Sequence, residues 1–436
     1  MDNSSIIILS ILLGGLAVYV PVGICLFMTA TIGIMLYGDM PMLMLVQTMF
    51  RSMDKFALVV VLFFILCGNI MTAGAIVSKL INVANALVSW LPGGLGMAGV
   101  LACGLFGAIS GSTVATVVAL GGFMIPALLS YGYPEKYSIG LMTSAPNLGV
   151  IIPPSISMIL YCMVTNVSLE GLFLTGFLPG ILIMIGTCVY TYFIFKNDDR
   201  IPRSPLSGPK ELLIIFKDGF WALMLPVIIF GGIYTGIFTA NEAAVVACVY
   251  AFFVELYIHK AIKWTDVKRI TVQSAVTSAT LLIIVAGASS FGMLLTMKDI
   301  PSKVSEAILA TVHSPVVFLL VINVLLLVVG MFMDIISATL ILTPVFLPML
   351  KEFNVDLMHF GLIMTVNMAI GYCTPPVGVS LYITGSIANR DIIYVTRSVI
   401  PFLIIQMIVL FLMTYLPDWV LWLPRVLGFS SEGGST

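Results

Sequence analysis

The chain has 436 residues, a formal net charge of −1, 60% apolar side chains and only 9% charged side chains. Soluble domains usually carry about 25% charged residues, so this composition excludes a soluble domain of useful size and indicates a polytopic membrane protein. The basic residues are confined to a few short loops, which gives no support for nucleic-acid binding. Each bilayer crossing needs roughly 20 apolar residues, so the length allows about ten to a dozen crossings. We expect a multi-pass protein of a bacterial inner membrane.

The first apolar segments are predicted to form three crossings. The runs 5–20 and 22–37 meet at Pro21 and, taken alone, fit one long helix or two short crossings. A shift of 222 positions brings them to 227–242 and 244–259, which overlap the second-half segments 219–237 and 241–258. A polar turn separates those two segments, so we favour two crossings. With a third crossing at 56–74, these helices form a predicted scaffold over 5–74.

An amphipathic helix and a hairpin are predicted next. Over 76–90, polar and apolar residues alternate at helical spacing, which indicates a helix lying at the membrane interface, here called an arm. The segment 91–134 has no charged residue but is interrupted by small and polar residues at 107–116. One helix cannot use that length, so a re-entrant hairpin is expected, with its tip lining a cavity that satisfies the irregular backbone.

The first half is predicted to end with a broken helix over 136–165 and a crossing at 169–195. Basic residues then cluster in the loops 196–217 and 259–269, and two crossings separate these loops. Both loops therefore lie on one side of the membrane, which the positive-inside rule assigns to the cytoplasm. The segment 196–218 is predicted to be a cytoplasmic linker.

The second half repeats this order. Its predicted parts are scaffold helices 219–295, an arm 297–313, a hairpin 314–350, a broken helix 358–388 and a final crossing 398–424, followed by a tail 425–436. Each half, 1–195 and 219–424, has five crossings and one hairpin. An odd number of crossings places the halves in opposite orientations. The predicted fold class is therefore an all-α polytopic membrane protein built from two inverted repeats.

The two proline-broken stretches correspond to each other. Shifting Ser144–Ser155 by 222 positions lays it over 366–377, so that Gly149 meets Gly371 and Pro153 meets Pro375. Inverted repeats with paired, interrupted helices are typical of secondary transporters whose binding site lies near the bilayer midplane. Ordinary transmembrane helices also contain proline and glycine, but two matched Pro-Pro pairs favour the transporter interpretation.

The two breaks offer groups that can bind a sodium ion and an anionic substrate. A proline frees backbone carbonyls that can coordinate Na⁺, and the helix that restarts after the break offers its N-terminus to an anion. Nearby hydroxyls and amides add neutral oxygen ligands. The predicted sodium ligands are Ser110, Asn147, Gly149, Pro153, Asp334, Ser337, Thr339, Gly371, Thr374 and Pro375. The predicted substrate contacts are Ser110, Gly111, Ser112, Thr113, Ser155, Gly378 and Val379. Two sodium sites are the expected minimum.

Asp334 is the only charged residue in the second hairpin segment. A carboxylate at membrane depth costs on the order of 3 kcal/mol on insertion scales unless it is paired, so it is a functional candidate by default. The alternative is a carboxylate at a water-exposed tip. The stretch Ser110–Thr113 has its own alternative, which is simple packing between helices.

The chain resembles the large membrane subunit of the tripartite ATP-independent periplasmic (TRAP) transporters. The resemblance runs nearly from end to end and is carried by six motifs in order: Leu91-Pro-Gly-Gly-Leu, Leu105-Phe-Gly-Ala-Ile-Ser-Gly-Ser, Ile151-Ile-Pro-Pro-Ser, Asn241-Glu-Ala-Ala, Leu342-Thr-Pro-Val and Gly371-Tyr-Cys-Thr-Pro-Pro-Val-Gly.

The resemblance implies sodium-driven uptake of an organic acid of the C4-dicarboxylate or sialic acid type. It implies an elevator movement of the hairpins and broken helices against the scaffold, and delivery of the substrate by a periplasmic substrate-binding protein. It also implies a small four-helix membrane subunit, expected here as a separate chain.

A channel and an intramembrane enzyme are the two alternative function classes. A channel or passive pore for small anions would also use polar breaks at the midplane, and large single-channel currents would distinguish it. An intramembrane enzyme is disfavoured because the sequence has no HExxH, GxSxG or paired-aspartate pattern, so we expect no enzymatic activity.

Overall fold

The structure, a computed structural model, describes residues 3–18, 20–37, 41–198, 201, 208–309 and 312–429. These residues form helices and contain no β-strand. Nine of their helices are long and apolar enough to cross a membrane, or ten when one bent pair is counted as a single span. The predicted all-α polytopic fold class is confirmed.

The described residues of the first half form twelve helices, α1 to α12. In chain order they are Asn3–Ala17, Val22–Tyr37, Met42–Met53, Ala57–Ala73, Ile76–Val88, Gly94–Ser110, Thr113–Thr116, Gly122–Ser130, Glu135–Ser144, Leu148–Ile151, Ile156–Thr165 and Leu169–Phe195. A π-helical turn, Val117–Gly121, joins α7 to α8, and a 3₁₀ turn, Ala145–Asn147, joins α9 to α10.

Ten helices, α13 to α22, are formed by the part of the second half that the structure describes. They are Pro209–Tyr234, Ala240–Phe253, Trp264–Met297, Ile300–Leu309, Pro315–Phe332, Ile335–Glu352, Leu357–Gly371, Val379–Ala388, Ile392–Tyr415 and Pro417–Val426. A π-helical turn, Val254–Ile258, extends α14. The order of scaffold, arm, hairpin and broken helix is the same in both halves, with α5 and α16 as arms and α6–α8 and α17–α18 as hairpins.

Several helix bounds differ from the sequence prediction. Helix α13 begins at Pro209, inside the predicted linker 196–218, because proline at the first helical position and Glu211 in the first turn favour a helix start there. Helix α3 was not predicted; it is amphipathic and bends by 54° into α4. The predicted crossing 398–424 is two helices, since Pro417 lacks the amide hydrogen needed to continue α21.

Parts of four predicted segments lie outside the described residues. These are positions 19 and 38–40 of the predicted scaffold 5–74, 199–200 and 202–207 of the predicted linker, 310–311 of the predicted second arm, and the predicted tail from residue 430 onward.

The two halves pack across each other. In the scaffold, α4 packs on α14 and α2 packs on α15. Arm α5 lies between the hairpin helix α6 and the scaffold helix α13, and arm α16 packs against the hairpin helix α18. Arm α5 therefore lies between its hairpin and a scaffold helix of the opposite half, and arm α16 lies between α15 and α18.

The broken helices occupy the centre of the molecule. In the segment Glu135–Thr165, 89% of the most apolar window is buried inside the protein, against 22% for α13. Interrupted backbone needs protein neighbours to satisfy its amides at membrane depth, which is why these helices are surrounded while α13 lies at the periphery.

Candidate ion and substrate site

The tip of the first hairpin is a tight turn between α6 and α7. Helix α6 ends at Ser110, and Gly111 follows with φ +61°, a left-handed conformation that glycine adopts without strain. The Ser112 hydroxyl caps α7 by accepting a hydrogen bond from the Ala115 amide at 3.4 Å. Thr116 donates its hydroxyl to the Ser112 carbonyl at 2.7 Å, and its oxygen lies 3.3 Å from the Ser110 hydroxyl. The tip therefore presents a compact group of hydroxyl and carbonyl oxygens.

This tip contacts the break of the first broken helix. The break lies between α10 and α11 and contains the cis bond between Pro153 and Pro154. The Ile156 amide, just after the break, donates to the Gly111 carbonyl at 3.4 Å. A Cβ on Gly149 would lie 2.5 Å from the Thr116 hydroxyl, so only glycine allows this approach.

The second half builds the same arrangement. The Gly378 amide donates to the Met331 carbonyl at 3.2 Å, which joins the second break to the second hairpin tip. The Ile335 amide donates to the Tyr372 hydroxyl at 3.0 Å. A Cβ on Gly371 would lie 2.6 Å from the Gly330 Cα, so glycine faces glycine where the hairpin and the broken helix touch. We call each contact between a tip and a break a tip–break unit.

Asp334 is the cap of α18 at the second tip. One carboxylate oxygen accepts a hydrogen bond from the Ser337 amide at 2.9 Å. The side chain is half-buried, so the carboxylate is only partly shielded from solvent. The backbone amide of its own helix is the partner that offsets part of its desolvation.

Helices that follow the breaks pack on the opposite hairpin. Helix α11 packs on α18, and α20 packs on α7 and the π turn after it. Among the described residues, three buried hydroxyls on these helices have no hydrogen-bond partner: Thr113, Ser337 and Thr384. Buried polar groups are normally paired, so these oxygens are available to a bound species. Within the described parts of the chain no cluster of three or more His, Cys, Asp or Glu residues is found, which leaves neutral oxygens as the main donors.

The amide of Asn147, a predicted sodium ligand, has partners elsewhere. It donates to the Gln406 side chain at 2.9 Å and to the Cys373 sulfur at 3.4 Å. Gln406 in turn donates to the Ser144 carbonyl at 2.9 Å. This network joins the first broken helix to α21 and to the second break, so the structure uses Asn147 to connect the two halves. A sodium contact from Asn147 stays a prediction.

The remaining predicted residues lie at the two breaks. The Ser155 hydroxyl is 3.0 Å from that of Ser157, and Thr374, in the second break, donates its hydroxyl to the Ile370 carbonyl at the end of α19 at 2.9 Å. Thr339 is buried in α18, while Val379 begins α20 and is half-buried. The breaks differ in exposure, because residues 153–155 are buried and residues 375–377 are exposed.

Sequence reasoning missed several residues of this region. They are Gly107, Thr116, Gly330, Tyr372, Ser380, Thr384 and Gln406. The 222-residue shift also lays Ser112 over Asp334, a correspondence that could have been found. Gln406 is a single side-chain amide within an apolar helix, and such an isolated polar residue predicts a buried hydrogen bond. The sequence around Tyr372 does not indicate that its hydroxyl accepts from a backbone amide.

Comparison with known proteins decides the family. Residues 9–419 match the family described as "Tripartite ATP-independent periplasmic transporter, DctM component". The chain belongs to this DctM family. The resemblance found in its motifs is confirmed, and this DctM family member is a multi-pass inner-membrane component of a transporter, not an enzyme.

Two relatives and one structure illustrate the match. The chain is 36% identical to the C4-dicarboxylate TRAP transporter large permease protein DctM of Rhodobacter capsulatus, over 98% of this chain and 100% of the relative. It is 32% identical to the sialic acid TRAP transporter permease protein SiaT of Haemophilus influenzae, over 94% of this chain and 66% of the relative. The crystal structure of the Alcanivorax borkumensis YdaH transporter is similar in fold, with a TM-score of 0.64, 15% identity and coverage of 88% and 90% of the two chains.

Proposed function

We propose that the chain is the permease through which a sodium gradient drives the import of an organic acid. The observation that carries this proposal is the pair of tip–break units. In each, a hairpin tip is hydrogen-bonded to the restart of a broken helix, through Gly111 and Ile156 in the first half and Met331 and Gly378 in the second. Paired interrupted helices of this kind offer carbonyls to a cation and helix N-termini to an anion.

Na⁺ is the cation that best fits the donor set. The oxygens at the tips are hydroxyls and backbone carbonyls, with one carboxylate at Asp334, and hard cations prefer such oxygen ligands. The unpaired hydroxyls of Thr113 and Ser337 stand at the first turns of α7 and α18, beside the tips. We assign one sodium site to each tip–break unit.

The substrate class follows from the relatives and from the helix ends. Two relatives are named for C4-dicarboxylates and for sialic acid, and both of these acids carry an anionic carboxylate. The N-termini of α11 and α20 favour negative charge at the breaks. The segments 91–165 and 314–389 contain no arginine, so backbone amides and hydroxyls are the proposed contacts to the acid.

The proposal includes two partners and a movement. A periplasmic substrate-binding protein delivers the acid, and a small four-helix membrane subunit supports the scaffold. The hairpins and broken helices move as a unit against the scaffold in an elevator mechanism. The packing of α11 on α18, and of α20 on α7 and the π turn after it, supports their moving together.

Uptake in proteoliposomes tests the proposal. The permease, its small membrane subunit and a cognate binding protein are reconstituted, and uptake of labelled acid is measured with and without an inward sodium gradient. We expect uptake to require the gradient, and equal uptake in potassium and sodium media would rule out sodium coupling. Single-channel currents under the same conditions would instead support a pore.

A further inference from the structure

The joint between α4 and arm α5 lacks a local helix cap. Helix α4 ends at Ala73, and the residue before α5 is Ala75, whose side chain has no hydrogen-bond acceptor. The first amides of a helix have no partner within the helix and are usually capped by Ser, Thr, Asp or Asn. The start of this arm therefore needs an acceptor from elsewhere in the chain.

Glu255 supplies that acceptor from the other half of the chain. It lies in the π-helical turn at the end of α14 and is fully buried. One carboxylate oxygen accepts from the Ala75 amide at 3.0 Å and the other from the Ile76 amide at 2.7 Å. A Cβ on Gly74 would lie 2.1 Å from the carboxylate carbon, so the joint has no side chain where the carboxylate sits. The His259 ring lies 3.5 Å away on the same turn.

The second arm is fixed at its start by a different residue. Lys298 caps the end of α15, immediately before arm α16, and donates to the carbonyl of Tyr37, the last residue of α2. The ammonium also lies 5.9 Å from the centroid of the Tyr37 ring. At a shift of 222, Gly33 corresponds to Glu255 and Ile76 to Lys298, so the two contacts are not copies of one another.

We infer that Glu255 and Lys298 are positioning residues that fix each arm to the scaffold helix of the opposite half. Each arm lies between the scaffold and a hairpin, so the direction of the arm at its start decides how the hairpin is held. A buried carboxylate with two amide donors is a strong, directional contact. This inference rests on the proposed transport function, in which the hairpins move against the scaffold and the arms carry the strain of that movement.

The decisive variants separate capping from anchoring. Glu255→Ala removes both contacts, and we expect the maximal uptake rate in proteoliposomes to fall about tenfold. The half-saturating sodium concentration should stay within about twofold, because the tips are untouched. Adding Ala75→Ser restores a local cap to α5 without reconnecting it to α14. The double variant should regain thermal stability in detergent while its uptake rate stays low.

Recovery of the uptake rate in the double variant would show that Glu255 only caps a helix, and would overturn the inference. So would a normal uptake rate in Glu255→Ala or in Lys298→Met, which breaks the contact of the second arm. Glu211→Gln is the matched control, because it neutralises an exposed carboxylate in the first turn of α13, a neighbour of α5. It should leave the uptake rate unchanged.

Amide hydrogen exchange tests the anchor without transport. In Glu255→Ala, the peptide 73–77 should exchange faster than in the wild type, and Glu211→Gln should leave it unchanged. Unchanged exchange in Glu255→Ala would contradict the anchor. Should wild-type uptake show no sodium dependence, the proposed function fails while this measurement still decides whether Glu255 holds the arm.

Discussion

Ser112 and Asp334 occupy the same position in the two hairpins. They are 222 positions apart, each lies in its hairpin tip at the start of the next helix, and each accepts a hydrogen bond from the backbone amide three residues later, that of Ala115 or Ser337. A helix start needs only an uncharged acceptor, as Ser112 shows. Capping therefore does not require the negative charge of Asp334. A cation bound at the second tip would require it.

The first prediction separates the charge of Asp334 from its cap. Asp334→Asn keeps an acceptor oxygen but loses the charge, whereas Asp334→Ala loses both. We expect both variants to raise the half-saturating sodium concentration about tenfold, equivalent to about 1.4 kcal/mol. Only Asp334→Ala should also lower the free energy of unfolding, by about 1 kcal/mol. Uptake titrated with sodium and thermal unfolding in detergent measure the two effects.

Asp356→Ala is the matched control for this experiment. Asp356 caps α19 by accepting from the Met358 and His359 amides at 2.8 and 3.0 Å, away from the tip. Its loss should lower stability without changing sodium activation. Normal sodium activation in an Asp334→Asn variant that still assembles with the small subunit would remove Asp334 from the ion site.

The second prediction concerns the glycine contacts of the tip–break units. In Gly371→Ala the new methyl group meets the backbone of Gly330 at 2.6 Å, and backbone cannot turn aside as a side chain can. We expect the free energy of unfolding to fall by about 1–3 kcal/mol, measured by thermal unfolding in detergent. Gly292→Ala in α15 is the control, since its Cβ meets nothing within 4 Å. It should stabilise the protein by about 0.5–1 kcal/mol, and equal effects of both variants would contradict the close contact.

Much of this architecture was predictable because it depends on local pattern. Apolar runs bounded by prolines predicted the broken helices, and the paired breaks followed from one shift of 222 residues. The start of α13 was missed, since hydrophobicity alone ignores the favourable helix start at Pro209. The partners of Asn147 and Glu255 were not predictable, because Gln406 lies 259 positions from Asn147 and Ile76 lies 179 positions from Glu255. Such pairs depend on how the two halves pack together, and the spacing of residues within one segment does not predict that packing.

The third prediction tests the amide network between the halves. Gln406→Leu removes the 2.9 Å partner of the buried Asn147 amide, which keeps only its contact with the Cys373 sulfur, and removes the side-chain donor to the Ser144 carbonyl. This change should cost about 1–3 kcal/mol of unfolding free energy. Asn147→Leu should cost a similar amount. Because both side chains belong to one contact, the double variant should lose at least about 1 kcal/mol less than the sum of the single variants. Gln273→Leu replaces an exposed amide on α15 and should change stability by less than about 0.5 kcal/mol. Strict additivity of the two buried substitutions would show that they do not interact.

The fourth prediction uses the unpaired hydroxyls of Thr113 and Ser337. Each is buried and has no hydrogen-bond partner within the described part of the chain, so an empty site leaves a desolvated hydroxyl that lowers stability unless a bound species pairs with it. Thr113→Val and Ser337→Ala should therefore leave the free energy of unfolding unchanged or raise it by up to about 1 kcal/mol in the absence of sodium.

The same variants should weaken sodium activation of uptake about tenfold, equivalent to about 1.4 kcal/mol. Thr143→Val is the control, because the buried Thr143 hydroxyl already donates to the Ile139 carbonyl at 2.7 Å. That variant should lose about 1 kcal/mol of stability and keep normal sodium activation. A stability loss in Thr113→Val equal to that in Thr143→Val would show that the Thr113 hydroxyl has a partner within the protein. Greater stability together with weaker sodium activation is the combination that a ligand position requires, because removing an ordinary packing hydroxyl changes stability alone.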